Sequence, residues 1–414
     1  MLGSRLAAGL MVALTATALA SGSSQGAVAN WNAAWQGSPV LGSVTADEGC
    51  PQLADQTARD IVTTAIGGTQ VRVRISNAYG TAPLTVGAAT LAPTAGGAAV
   101  DARRLSRVTV GRAATFTIPA GATVLSDPIK LSVVAGGRLS LSVYVPEQVA
   151  AMTQHSWSRT TNYVASGNQS TNNGGEGFQP VSCWMLATGV DVLAGRSVTG
   201  TVVALGDSLT DGDGSTTDAN RRYPDALARR LAALPKSTLS VANAGIAGNR
   251  LDGELRGAPY ALYPVLGEPA NVRLQRDVIS QPGATDVIVL LGTVDVTDGT
   301  DTDTFIARYT ELIARLHAAG LDVHVGTLPP WGGLSSRCSR ASSAAACEAQ
   351  RQQINAWLRD AAPADSVVDF DAAVRDPADP TRLAAEYDAG DHLHFNDAGY
   401  ARMADAVSLP TLLG

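Results

Sequence analysis

Thr201-Val202-Val203-Ala204-Leu205-Gly206-Asp207-Ser208-Leu209-Thr210 sets the reading of the second half of this 414-residue chain. Residues 201–205 form an uncharged, β-prone run, as expected of a buried strand. Gly206-Asp207-Ser208 is turn chemistry and ends it. Outward from there, strands and helices alternate. Pro224–Leu234 carries Leu227, Leu231 and Leu234 at helical spacing. Leu239–Ala242 and Val287–Leu291 read as strands, Thr304–Ala318 as a helix and Val323–Thr327 as a strand. Ala346–Leu358 reads as a helix, Val367–Phe370 as a strand, and Asn396–Val407 as a helix with Asn396 as its cap. That alternation predicts a parallel sheet covered on both faces. Ligands of such sheets sit beyond the carboxyl ends of the strands, so Ser208, just past the 201–205 run, is the first place to look for chemistry.

The first half has a different rhythm. Gln70-Val71-Arg72-Val73-Arg74-Ile75 and Arg138-Leu139-Ser140-Leu141-Ser142-Val143-Tyr144-Val145 are apolar at every second position. Period two with Gly, Pro and Asn punctuation predicts half-buried strands, and several at regular spacing predict a β-sandwich. Asn168–Gly175 reads as a surface loop. The expected division is an export signal and short linker over 1–29, a β-sandwich domain over 30–195 and an α/β domain over 196–414.

Apolar residues make up 45% of the chain, enough for sizeable cores, and charged residues 16%, with a net charge of −7. A mildly acidic chain gains nothing from a phosphate backbone, so nucleic acid is not an expected partner. Arg5 precedes an apolar run, Leu6–Ala20, ending in Ala18-Leu19-Ala20. The run is short for a bilayer span and resembles a cleaved export signal, so no stable membrane span is expected. Export suits four cysteines. Cys338 and Cys347 bracket a Ser/Ala-rich stretch, while Cys50 and Cys183 lie near the ends of the first half. The expected bridges are Cys50–Cys183 and Cys338–Cys347, one of three possible connectivities. No Cys-x-x-Cys or His-Glu-x-x-His occurs, so neither a metal nor another cofactor is expected.

A serine hydroxyl is a poor nucleophile unless a base takes its proton, and an imidazole does so when a carboxylate orients it. Asp391-His392-Leu393-His394 offers both groups in one turn before the Asn396 helix. His394 is the expected base and Asp391 its support; His392 competes, while His317 and His324 read as structural. Gly22-Ser23-Ser24-Gln25-Gly26 fits a nucleophile-elbow pattern, but no strand precedes it. Asn168-Gln169-Ser170 fits a glycosylation acceptor. Trp157, Trp184 and Trp331 could line a substrate surface or fill cores, core packing being the commoner role of tryptophan.

Four ordered blocks resemble the GDSL, or SGNH, hydrolase family. They are Gly206-Asp207-Ser208-Leu209, Asn243-Ala244-Gly245-Ile246-Ala247-Gly248-Asn249-Arg250, Gly292-Thr293-Val294-Asp295, and Asp391-x-x-His394. The likeness runs from about Val202 to the end, and the first half looks like the β-sandwich preceding this domain in many secreted bacterial members. The resemblance implies a flavodoxin-like three-layer α/β fold. It implies Ser208 as nucleophile, His394 as base, Asp391 as its support, and the Ser208 and Gly245 N–H groups in an oxyanion hole. Val294 departs from the pattern, standing where the family has an asparagine donor. Losing such a donor typically costs about 2.7–4 kcal/mol, or roughly 10²–10³ in rate, unless Thr293 or Asn249 compensates. The expected activity is that of an exported serine esterase working through an acyl-enzyme on a small-molecule, lipid or glycan ester. The rivals are an acyltransferase or specialised biosynthetic enzyme, a carbohydrate deacylase, and a catalytically weakened binding protein. Oligomeric state is not legible.

Overall fold

The computed structural model describes residues 29–42, 50–149, 151–235, 238–253, 266–332, 338 and 343–414. The expected export segment, Leu6–Ala20, and the Gly22–Gly26 motif lie outside the described residues. Among the described residues, no helix is long and apolar enough to cross a membrane.

The first half is built from antiparallel strands. One sheet runs in the order Trp31–Gln36, Ala187–Leu193, Gln70–Ser76, Thr123–Leu125. A second has Gln56–Thr63, Arg138–Val145 and Ala88–Gly96 at its centre. Alternate residues of both, among them Val71, Val73, Ile75, Leu139, Leu141 and Val143, meet in one core. Trp35 and Trp184 cross edge to face there, 4.9 Å between ring centres, and the Trp184 indole N–H donates to the Ile61 carbonyl at 2.8 Å. Trp184 and Trp331 are thus core residues, and Trp157 is only partly buried. Cys50 pairs with Cys183 and Cys338 with Cys347.

The 168–175 loop is not simply a surface loop. Arg59 is fully buried, and its guanidinium donates to the Gln169, Asn172 and Ala98 carbonyls. A buried cation needs acceptors on every face, and the loop backbone supplies two of them, at Gln169 and Asn172. Ser170 is consequently 2% exposed.

The second half contains a five-stranded parallel sheet in the order Thr238–Gly245, Val198–Gly206, Ala284–Leu290, Asp322–Gly326, Ser366–Val368. Successive side chains of one strand serve opposite layers, the period-two rule of strands. Val203, Leu205, Val287 and Val289 pack against Phe305, Tyr309, Leu312 and Ile354 of helices Thr302–Ala318 and Ala344–Asp360. Val202, Ala204, Ile288 and Leu290 pack against Tyr223, Leu227, Tyr400 and Met403 of helices Tyr223–Ala232 and Asp397–Ala406. The expected strand at 367–370 is shorter. It ends at Val368 because the Asp369 carboxylate accepts the Ala372 N–H and starts a helix at Phe370.

The halves meet along the edge of the parallel sheet. Ala33 packs in the α/β core, and its carbonyl accepts from Ser240 Oγ at 2.5 Å. Gln36 Nε2 donates to the Asp277 carbonyl at 2.9 Å. Beside this seam lies Arg273, 1% exposed. Its Nη1 donates to Asp277 Oδ2 at 3.0 Å and to the Ala244 carbonyl at 2.8 Å. Nη2 reaches the Gly206 carbonyl at 3.1 Å, and Nε reaches Asn249 Oδ1 at 3.0 Å. Burial opposes the Asp277 charge, but Arg276 and Arg273 outweigh it and hold the carboxyl below its ordinary range. Removing one member of a buried pair typically costs about 3–5 kcal/mol. Arg273→Met is expected to lose stability on that scale at pH 7, measured by urea unfolding. A depressed carboxylate pKa stabilises above the unfolded value, and that contribution is lost as pH falls through the lower folded one. The gap between wild type and variant should therefore narrow below about pH 4.

Candidate active site

The Val198–Gly206 strand delivers Ser208 at its carboxyl end. Asp207 caps the single turn Ser208–Asp211, its Oδ1 accepting the Leu209 N–H at 3.0 Å. Ser208 is 8% exposed. Its Oγ lies 2.9 Å from His394 Nε2. His394 Nδ1 is 2.5 Å from Asp391 Oδ2, and Asp391 Oδ1 accepts the His394 N–H at 2.8 Å. Partial burial works against the Asp391 charge, but these bonds and the Leu393 N–H outweigh it and hold the carboxyl below its ordinary range. The other histidine of the turn goes elsewhere. His392 has φ 63° and pairs with Asp388 Oδ2 at 2.6 Å. His317 pairs with Asp365, and His324 bonds Asp286 and Ser366.

The 211–214 segment passes beneath His394. Gly214 has φ 89°, and a Cβ there would stand 2.7 Å from the Phe395 carbonyl oxygen and 3.3 Å from His394 Cβ, so only glycine fits. Asp213 is the neighbour this path brings in: its Oδ2 lies 3.9 Å from His394 Nε2.

The expected oxyanion groups fare unevenly. The Gly245 N–H is already committed, donating to Asn243 Oδ1 at 2.8 Å, while Asn243 Nδ2 donates to the Thr210 carbonyl at 2.9 Å. Gly245 lies at the end of its strand, in register with Gly206, and its Cβ position is filled by the Asp211 backbone. It is therefore a packing glycine with no free donor. Asn249 is committed as well, its Nδ2 donating to the Leu266 and Glu268 carbonyls. Among the described residues, no acceptor bonds the N–H of Ser208 or of Gly248. The loop that carries Gly248 is fastened to the Ser208 turn by the Ala247 N–H, which donates to Asp211 Oδ2 at 3.0 Å. Val294 is half-buried in the turn Thr293–Thr297. Beside it, the buried Thr293 hydroxyl has no partner among the described residues.

Carboxyl groups crowd the back of this site. Burial pushes Asp207 up to about 7, the Leu209 N–H opposing and the Asp295 and Asp213 charges adding. Burial likewise raises Asp295 to about 6, against the Leu251 N–H that it accepts. Burial and the Asp211 charge raise Asp213, against Arg159. Asp211 instead holds His155, 3% exposed, at 3.0 Å from the ring Nε2, while His155 Nδ1 bonds the Ser38 carbonyl at 2.7 Å. His155 and Arg159 belong to the β-rich half. Sequence reasoning missed both, together with Asp213 and Arg273. The one available signal was Asp211-Gly212-Asp213-Gly214, two carboxylates among glycines beside Ser208.

Residues 204–402 match the GDSL-like Lipase/Acylhydrolase family. No curated protein matches the sequence significantly. Among solved structures, a putative lipolytic protein of the G-D-S-L family from Desulfitobacterium hafniense is 17% identical, with a TM-score of 0.36 over 50% of this chain and 97% of that one. A GDSL-like lipase from Bacteroides thetaiotaomicron is 18% identical, with a TM-score of 0.36 over 52% and 89%. A family two carbohydrate esterase from Cellvibrio japonicus is 13% identical, with a TM-score of 0.34 over 93% and 94%. The stretch from 204 to 402, which holds Ser208, Asp391 and His394, is a GDSL-like lipase/acylhydrolase domain, consistent with an ester-bond hydrolase.

Proposed function

We propose that the protein is an exported serine esterase in which Ser208 is acylated by the substrate and then freed by water. The observation that carries this reading is the unbroken chain Asp391–His394–Ser208, with contacts of 2.5 and 2.9 Å. His394 Nε2 accepts the Ser208 proton as Oγ attacks the ester carbonyl. The imidazolium then returns that proton to the leaving alcohol, and the cycle repeats with water. Asp391 fixes the ring so that Nε2 faces the serine. Two disulfides support an oxidising compartment. The strand order and the two helical layers support the flavodoxin-like reading of the α/β domain, with the β-rich half as a sandwich ahead of it. The substrate is an ester of a small molecule, lipid or glycan.

For the oxyanion we assign the N–H groups of Ser208 and Gly248 in place of Gly245. Gly248 has φ 74°, a left-handed conformation that turns its peptide out of the strand direction. Thr293 Oγ is a third candidate donor, because a buried hydroxyl without a partner gains most from a charged acceptor.

Ser208→Ala is expected to abolish labelling by a serine-directed phosphonate and nearly all ester turnover while leaving the unfolding midpoint unchanged; labelling retained in the folded variant would remove Ser208 from the mechanism. Products formed with an added alcohol acceptor distinguish hydrolysis from acyl transfer.

Val294→Asn tests the oxyanion assignment. If the site lacks a donor, the added amide should raise kcat rather than lower KM, since the charge exists mainly in the transition state. The ceiling is about 10²–10³. With Thr293 in the role, the gain is under about tenfold, and Thr293→Val should then cost more than Val294→Asn gains. Steady-state kinetics on an aryl acetate measure both.

A further inference from the structure

We infer that the β-rich half completes the catalytic site through two positioning residues, Arg159 and Asp213, which act on the His394 imidazolium. The inference rests on the Ser208–His394–Asp391 reading. Arg159 Nη2 and Nε both donate to Asp213 Oδ1, at 2.7 and 3.2 Å. With one oxygen held on that fork, the other faces His394 Nε2 at 3.9 Å. This is the nitrogen that receives the Ser208 proton. Asp391 serves the opposite ring nitrogen. The imidazolium is therefore flanked by a carboxylate on each side, one from its own turn and one held in place by the other half of the protein.

Both residues are fixed by their surroundings. Arg159 has φ 50°, and Trp157, two residues earlier, has φ 53°. Such left-handed conformations in non-glycine residues persist only where neighbours enforce them. Here the Ser158 N–H donates to the Ser182 carbonyl at 2.9 Å, Ser158 Oγ donates to the Thr160 carbonyl at 2.8 Å, and Arg222 donates to the Ser158 carbonyl. On the other side, Tyr400 donates its hydroxyl proton to the Asp213 carbonyl at 2.7 Å. Asp213 is 16% exposed at its side chain, so solvent screens it little. The charged and titratable groups around it are Arg159, His394, Asp211, Asp207 and Tyr400. Asp211 is bonded to His155, and of these carboxylates only Asp213 pairs with His394.

The chemistry follows from placement. As Ser208 Oγ bonds to the carbonyl carbon, its proton moves to Nε2 and the ring becomes positive. A nearby carboxylate stabilises the positive charge that forms on the ring, so it lowers the barrier to proton transfer. Arg159 keeps Asp213 ionised and turned. Without that partner, a buried carboxylate takes up a proton rather than carry an unpaired charge.

The test is the pH profile of kcat/KM on an aryl acetate with the full protein. Asp213→Asn should move the acidic limb down by about one pH unit and lower the plateau about tenfold, one pKa unit being a factor of ten. Arg159→Ala should lower the rate in the wild-type background but not in Asp213→Asn, because neighbours in one network are not additive. Arg159→Lys should recover most of the loss. A merely structural role would lower the unfolding midpoint and leave the acidic limb in place. An acidic limb that coincides with wild type in Asp213→Asn, or losses that multiply in the double variant, would overturn the inference. Should Asp213→Asn not fold, the comparison of Arg159→Ala with Arg159→Lys reads the same limb. Phosphonate labelling of Ser208 separates the two claims: with labelling intact, an unmoved limb overturns only this inference, whereas labelling lost from wild type overturns the triad as well.

Discussion

The guanidinium of Arg273 is the constraint on which the site depends. Its donors end on the carbonyls of Ala244 and Gly206, the last turns of two adjacent parallel strands, and on Asn249 in the loop that follows one of them. Those carbonyls lie at the point where the strands stop pairing and the chain turns toward Ser208 and Gly248. Buried carbonyls at such a break need partners, and one rigid five-donor fork supplies several at once. The cost of burying a charge there is offset by Asp277, itself held by Arg276 at 2.7 Å. Asn249 is spent in the same network, which is why it cannot also serve the oxyanion.

A second constraint is electrostatic. Four aspartates, Asp207, Asp211, Asp213 and Asp295, sit buried or nearly so around the turn that carries Ser208. Only part of that charge is neutralised, by His155 at Asp211 and Arg159 at Asp213. Burial leaves Asp207 and Asp295 titrating at about 7 and about 6, so their charge is pH-dependent across the neutral range. A site with this negative bias opposes a further negative charge brought close to Ser208. In the proposed reaction that makes the uncommitted N–H groups, and the absence of an amide at position 294, consequential.

Much of the architecture was legible in the sequence because the relevant signals are local. Period-two runs such as Arg138–Val145 became strands with the expected bounds, and the Asn396 cap sits where its helix begins. The Asp391-x-x-His394 spacing closes one turn and reaches Ser208. Gly245 was misread for a reason that only three dimensions reveal. A glycine in a motif can serve close backbone approach or a free N–H, and here its Cβ position is filled by Asp211. His155, Arg159 and Arg273 were not legible, since the first two bond aspartates 56 and 54 positions away and the third bonds backbone carbonyls that carry no sequence identity. The 168–175 loop is exposed at Asn168, Thr171, Asn173 and Gly174 as expected, but its polarity does not announce that Arg59 would collect its carbonyls.

The same reasoning explains why two rhythms in the sequence do not make two independent parts. The strand Trp31–Gln36 pairs in the β-rich half with Ala187–Leu193, yet Ala33 packs in the α/β core. Pulling the halves apart would strip Ser240 of the Ala33 carbonyl, Gln36 of the Asp277 carbonyl and Arg273 of its contact with Ser38. It would also leave the Asp211 and Asp213 carboxylates without His155 and Arg159. Most of these groups are buried at the seam, where a hydrogen bond counts for more than it does in water. The β-rich half therefore supplies partners to the α/β half as well as the arrangement of its site.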